Sequence, residues 1–302
     1  MKLRIFQSDK GDCLLLEAQS GELFLCDGGM RTSMKQSVRA ELGALQAAGR
    51  EIELACISHI DQDHISGFLQ LLEDEVEWRV FDLHEQGDPI APPSVPRPPV
   101  IKGILHNGFS DQVSVNKKAI ESLLAVAAPS LLATGVPELM RAAEEMQAIS
   151  ASVPEAISVS KLIAVDALDI PLNRPPGAQG PGKLLMAGKP GEVFDLGSMK
   201  FTLIGPTKSE LLKLRKGWQH WLQNVENKAD LKALREKLKK RIDEFSAGEL
   251  AGSPFDLGSW EGVPDIEGVT IPNVASLMFM VEETGKRLLL TGDGQQGFIL
   301  DG

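Results

Sequence analysis

The run Ser58-His59-Ile60-Asp61-Gln62-Asp63-His64-Ile65-Ser66-Gly67 constrains the fold more than any other part of this chain. Two imidazoles and two carboxylates fall within six residues, between the apolar segment Ile52 to Ser58 and a stretch with helical spacing, Ile65 to Glu73. A buried strand that delivers polar groups into a turn and a helix start is the layout of an α/β layered domain, where sites form at strand ends. Mixed nitrogen and oxygen ligands suit borderline divalent cations such as Zn, Mn or Fe. At the strand's end His59 and Asp61 point to one side and Asp63 and His64 enter the turn, so one loop can serve two adjacent metal positions.

The surrounding pattern extends this reading. Leu3 to Gln7 reads as a short strand, and Cys13 to Glu17 with Leu23 to Asp27 as a hairpin. Val38, Leu42 and Leu45 mark one face of a helix that Gly49 can end. Trp78 to Leu83 reads as a further strand, which would complete a β-loop-α-β unit. Six prolines at 89, 92, 93, 96, 98 and 99 make residues 88 to 99 an extended connector. Helix formers follow at 119 to 133 and 137 to 150, then a surface loop over Asn173 to Gly182. Strand pattern returns at Met199 to Ile204, and Ala275 to Glu282 with Arg287 to Thr291 reads as a hairpin. The expected organisation is one domain in two halves, 1–87 and 196–302, interrupted by a Pro-rich connector and largely helical insertion over 88–195.

Composition removes several function classes. The longest nearly apolar run, Leu123 to Val136, is 14 residues and contains Pro129, short of the roughly 20 needed to span a bilayer. The N-terminus has no apolar core of signal-peptide length. Three cysteines with no CxxC spacing read as reduced core residues, and the expected compartment is cytoplasmic. The chain has no tyrosine, so no Tyr nucleophile or general acid is available. The formal charge of -11 opposes adhesion to nucleic acid by the surface as a whole. Between Thr207 and Arg241, however, eleven Lys or Arg face four acids. That stretch, part of a basic helical segment 207–245, is either a solvated helical face or a phosphate-contact surface, with Lys237, Lys239 and Lys240 its densest run.

The string from Ser58 resembles the HxHxDHxxG signature of the metallo-β-lactamase fold, in the HxDxDHxxG variant of the ComEC-type competence-protein hydrolase domain and its soluble relatives. Two further segments carry the resemblance. Gly11-Asp12 with Asp27-Gly28-Gly29 is similar to that family's opening hairpin, and Asn273-Val-Ala-Ser276-Leu with Thr291-Gly292-Asp293 is similar to its "N-x-x-S-L...LLTGD" segment. The resemblance implies an αββα sandwich and two divalent metal ions, zinc first and Mn or Fe as alternatives. His59 and Asp61 would bind one ion, Asp63 and His64 the second, and Asp293 would bridge them. Asp63 and His64 would also be central to catalysis, and Asp27 would steady the metal loop by hydrogen bonding.

The family places a further ligand histidine after the TGD motif, yet none of the nine residues beyond Asp293 is His. The expectation is therefore that the sandwich is incomplete at its C-terminus and that further chain or a protein partner finishes the site. His106 is a candidate for a missing ligand. His84 and His220 are read as packing or surface residues. The expected activity is metal-dependent hydrolysis by a nuclease or phosphodiesterase, using a metal-bridging hydroxide on DNA or RNA. The alternative is a catalytically defective module that serves interaction or regulation.

Overall fold

The computed structural model describes residues 1–84, 90–107, 155–156, 158–178, 182–188, 192–209, 211 and 276–294. The sequence-predicted helices at 119–133 and 137–150, His220 and the basic run with Lys237, Lys239 and Lys240 lie outside them.

Five strands form the first sheet in sequence order: β1 (Lys2–Ile5), β2 (Leu14–Glu17), β3 (Leu23–Cys26), β4 (Leu54–Ile57) and β5 (Ile104–His106). The first three run antiparallel, whereas β3, β4 and β5 are parallel. Between β3 and β4 come α1 (Arg31–Ser33), a π-helical turn (Met34–Val38) and α2 (Arg39–Ala47), and α3 (Gln62–His84) follows β4. The second sheet is antiparallel, in the order β6 (Val193–Leu196), β7 (Met199–Gly205), β8 (Met278–Glu283) and β9 (Lys286–Leu290). Thr284 and Gly285 turn β8 into β9 with φ of 47° and 77°, as a two-residue hairpin of this hand requires.

Period-two alternation places each first-sheet side chain in one of two cores. Leu15, Leu23, Leu25, Ala55, Ile57 and Ile104 face the helices, where they meet Leu42, Ile65, Phe68 and Leu72. Leu16, Phe24, Cys26, Leu54, Cys56 and Leu105 face the second sheet, where they meet Phe194, Met199, Phe201 and Phe279. The four phenylalanines stack and tilt with Phe24–Phe201 centroids at 4.7 Å and Phe194–Phe201 at 5.0 Å, each pair worth about 1 kcal/mol beyond its buried area. The described residues thus form a helical layer and two facing sheets, an α/β arrangement. At one end the sheets are tied by Glu283, whose buried carboxylate takes the Gln19 N–H, the Ser198 hydroxyl and the Met1 ammonium. All three cysteines are buried and free. No helix among the described residues is long and apolar enough to cross a membrane.

The structure corrects two expectations. Trp78 to Leu83 is the last part of α3, so the strand that follows the metal loop is β5. Helix continues there because no breaker intervenes and the pairs are helical: Glu75 and Arg79 meet at i,i+4, and Trp78 and Phe81 meet edge to face at 5.6 Å. The Pro-rich connector, irregular as expected over 90–99, clamps this tail. Trp78 Nε1 donates to the Val95 carbonyl, and Arg97 pairs with Asp82 while lying 5.0 Å over the Trp78 ring. Consequently His84 ends a helix, where it is exposed.

The second correction is Asn173, which is buried at the head of the expected surface loop. With φ at 51° it accepts the His106 N–H through Oδ1 at 2.7 Å and returns Nδ2–H to the His106 carbonyl at 2.8 Å, replacing a strand neighbour for β5. Residues of the insertion also reach the core. Val159, Ile163, Leu168 and Ile170 belong to the helix-side core.

Candidate metal centre

The centre forms where β3 and β4 end and the second sheet meets the first. Beyond β4, Ser58 and His59 continue the strand direction, and the Asp61 carbonyl accepts the His64 and Ile65 N–H groups at 2.9 and 3.0 Å to start α3. His64 and Asp63 therefore lie in the first turn, where the exposed N–H groups favour carboxylates. From the other sheet, the Leu277 N–H donates to the Ser58 carbonyl at 2.8 Å, and the chain leaving β9 returns over the same residue. Gly292 has φ at 48°, and a Cβ there would stand 2.8 Å from Ser58 Oγ. Only glycine lets Asp293 come this close.

Glycines fix the loop from the other side as well. Gly28 and Gly67 put their backbones in contact, the Gly28 N–H donating to His64 O and the Gly67 N–H to Gly29 O, both at 2.9 Å. Tight packing of strand end on helix accounts for Gly28-Gly29 without any phosphate. Gly11, with φ at 68°, lies against the Asp63 carbonyl.

These constraints bring His59, His64 and Asp293 together, with one ligand atom of each within 4.8 Å of the others. His59 Nε2 lies 3.8 Å from Asp293 Oδ2, and His64 Nε2 lies 3.4 Å from Asp293 Oδ1. Two ligands about 2.1 Å from one ion at the tetrahedral angle stand roughly 3.4 Å apart, so the spacing suits a shared cation. Both histidines are 1% exposed, and neither Nε2 has a hydrogen-bond partner. Two buried, aligned and unsatisfied nitrogens are costly unless something else occupies them.

Asp61 extends the group, its Oδ2 lying 3.7 Å from His59 Nε2. Asp63 and Asp12 stand close enough to act on the others electrostatically. Burial, together with Asp63 and Asp293, pushes the Asp61 pKa up to about 6. Burial and neighbouring acids likewise raise Asp12. His59 is lowered to about 4 by burial and by His64. Burial also opposes a charge on His64, but Asp27 and Asp293 outweigh it and raise its pKa. The His64 imidazole beside it, with His59, keeps the Asp293 pKa low. Carboxylates that resist ionising beside one another are relieved by a divalent cation.

Asp27 is 1% exposed, with φ at 58°, and its Oδ2 accepts His64 Nδ1–H at 3.0 Å while Oδ1 accepts the Ser58 N–H at 2.7 Å. A buried carboxylate behind a ligand histidine orients the ring and raises its basicity. His106 ends β5 with Nδ1 3.3 Å from the Ile57 carbonyl and does not belong to the convergent group. The notable residue that sequence reading missed as a participant is Ser58, although its place before His59 at a strand end was visible. No family model, curated protein or solved structure matches this chain.

Proposed function

We propose that this chain is a metal-dependent hydrolase of the metallo-β-lactamase type, a phosphodiesterase or nuclease working with two divalent ions. The observation that carries the reading is the pair of buried imidazole Nε2 atoms, without hydrogen-bond partners, facing Asp293. Two facing sheets with helices against the first support the sandwich architecture. In this reading His59 and Asp61 serve one ion, Asp63 and His64 the other, and Asp293 both. The imidazoles suit zinc, and the harder Asp61 oxygen widens the range to Mn or Fe. When bound, such ions acidify a water and offset charge on phosphate oxygens. The protein's part is to hold Asp293 and both rings in register from opposite sheets and to keep water from the ring faces. DNA or RNA as substrate rests on the basic sequence 207–245.

The test combines elemental analysis with plasmid nicking in Mn²⁺ or Zn²⁺. About two ions per chain and nicking above background are expected. Asp63→Ala should lower nicking at least about 100-fold while the thermal midpoint stays within a few degrees, because its side chain is only partly buried. Undiminished nicking in that variant removes Asp63 from the mechanism. A second reading, an inert interaction module, draws on the convergence of three ligand groups rather than five among the described residues. It requires less than one tightly held ion per chain and no nicking.

Charge reversal at Lys237, Lys239 and Lys240 should weaken nucleic-acid binding and flatten the log–log salt dependence by roughly 3. An unaltered slope makes the basic run a solvated face.

A further inference from the structure

Ser58 is 1% exposed and stands between three partners. Its Oγ lies 2.7 Å from Asp27 Oδ2 and 2.9 Å from His59 Nδ1, while its backbone N–H holds Asp27 Oδ1 at 2.7 Å. A hydroxyl has one proton to donate, and a carboxylate oxygen only accepts. The Ser58 proton therefore goes to Asp27, and Ser58 can meet His59 only as an acceptor. That places the hydrogen of His59 on Nδ1 and leaves Nε2 with its lone pair, the reverse of the tautomer a free imidazole favours. In His64 the Nδ1 hydrogen is fixed directly, because Nδ1–H donates to Asp27 Oδ2 at 3.0 Å.

We infer that Ser58 is a positioning residue whose hydroxyl couples His59 to the carboxylate that also orients His64, so that one buried aspartate sets the tautomer of His59 and holds the Nδ1 hydrogen of both rings. The purpose rests on the metal reading of His59 and His64; the tautomer does not. The second sheet locks the relay. Leu277 N–H holds the Ser58 carbonyl at 2.8 Å, and Gly292 lies over the hydroxyl, where a Cβ would be 2.8 Å from Oγ. Ser58 thus packs directly against the segment that carries Asp293.

Nitrogen-15 chemical shifts of the His59 ring in the metal-free full chain test the inference directly. Wild type and Ser58→Thr should show a protonated Nδ1 and a bare Nε2, whereas Ser58→Ala should move the hydrogen toward Nε2. Zinc affinity, measured by competition with a chelating dye, should fall about 10- to 100-fold in Ser58→Ala and stay within about threefold in Ser58→Thr. A hydrogen on Nε2 in the wild type overturns the inference without need of any variant. So does an unchanged His59 tautomer in Ser58→Ala, or an equal loss of affinity in both variants. Failure of wild type to bind Zn²⁺ or Mn²⁺ removes the metal reading instead, and the ring shifts still report whether the relay exists.

Discussion

Alanine at Gly67 should destabilise this protein by about 3–5 kcal/mol, the opposite sign from an ordinary helix position. In an exposed helix interior Gly→Ala gains up to about 1 kcal/mol. Here the new Cβ would stand 2.0 Å from the Gly28 carbonyl oxygen, 2.7 Å from its carbon and 2.8 Å from the Gly29 oxygen. All three are backbone atoms, so no side chain can rotate away. Relief requires separating the end of β3 from α3. That movement stretches the bonds from Gly28 N–H to His64 O and from Gly67 N–H to Gly29 O. Overpacking at about 1–3 kcal/mol and two hydrogen bonds at about 1 kcal/mol each give the total. Thermal melting should show a fall of about 5–8 °C. An equal or higher midpoint would mean that the two backbones are not in contact.

The second large effect is on metal binding. His64→Ala should weaken zinc affinity roughly 100-fold or more, since a four-ligand site holding about 10–16 kcal/mol implies about 3 kcal/mol for each ligand. Asp293→Ala should weaken it comparably, yet the two variants should separate in stability. The Asp293 side chain is 45% exposed, so its loss leaves little behind. His64 is buried, and its removal strips Asp27 Oδ2 of one donor and opens a cavity, at a cost of about 2–5 kcal/mol. Titrations of metal-stripped protein, paired with melts of the same samples, distinguish these outcomes. Wild-type affinity in either variant would remove that residue from the centre.

Much of this arrangement was legible in the sequence because its signals are local. β3 and β4 announce themselves as short apolar runs because both their faces are buried, β7 by its alternation, and the β2–β3 and β8–β9 hairpins by their turn residues. The grouping of His59, His64 and Asp293 was legible because polar residues of these types stand at strand ends. The Trp78–Leu83 segment misled because Trp, Val and Phe are strand-favouring residues, while the contacts that make it helical lie partly in the Pro-rich connector. Arg97 and Val95 reach it from across a gap in sequence that no period reveals. β5 is three residues long and both its cores are supplied by other elements, so it had little pattern to show. Asn173 and Ser58 were opaque for a related reason. Each acts through one or two hydrogen bonds to partners distant in the chain, and such bonds leave no periodic trace.

The meeting of the two sheets at Ser58 has a consequence for biosynthesis. Strands β1 to β5 are complete by residue 106, whereas Asp293 follows His64 by about 230 residues. At ribosomal speeds of roughly 5–20 residues per second, the interval is on the order of 10–50 s. On the metal reading, a cation arriving in that time would find both imidazoles and Asp61 but neither the Asp293 carboxylate nor the second-sheet segment that packs on Ser58. Translation order then becomes ligation order: nitrogen ligands first, the bridging oxygen last, and retention of the ion only once the late hairpin has docked.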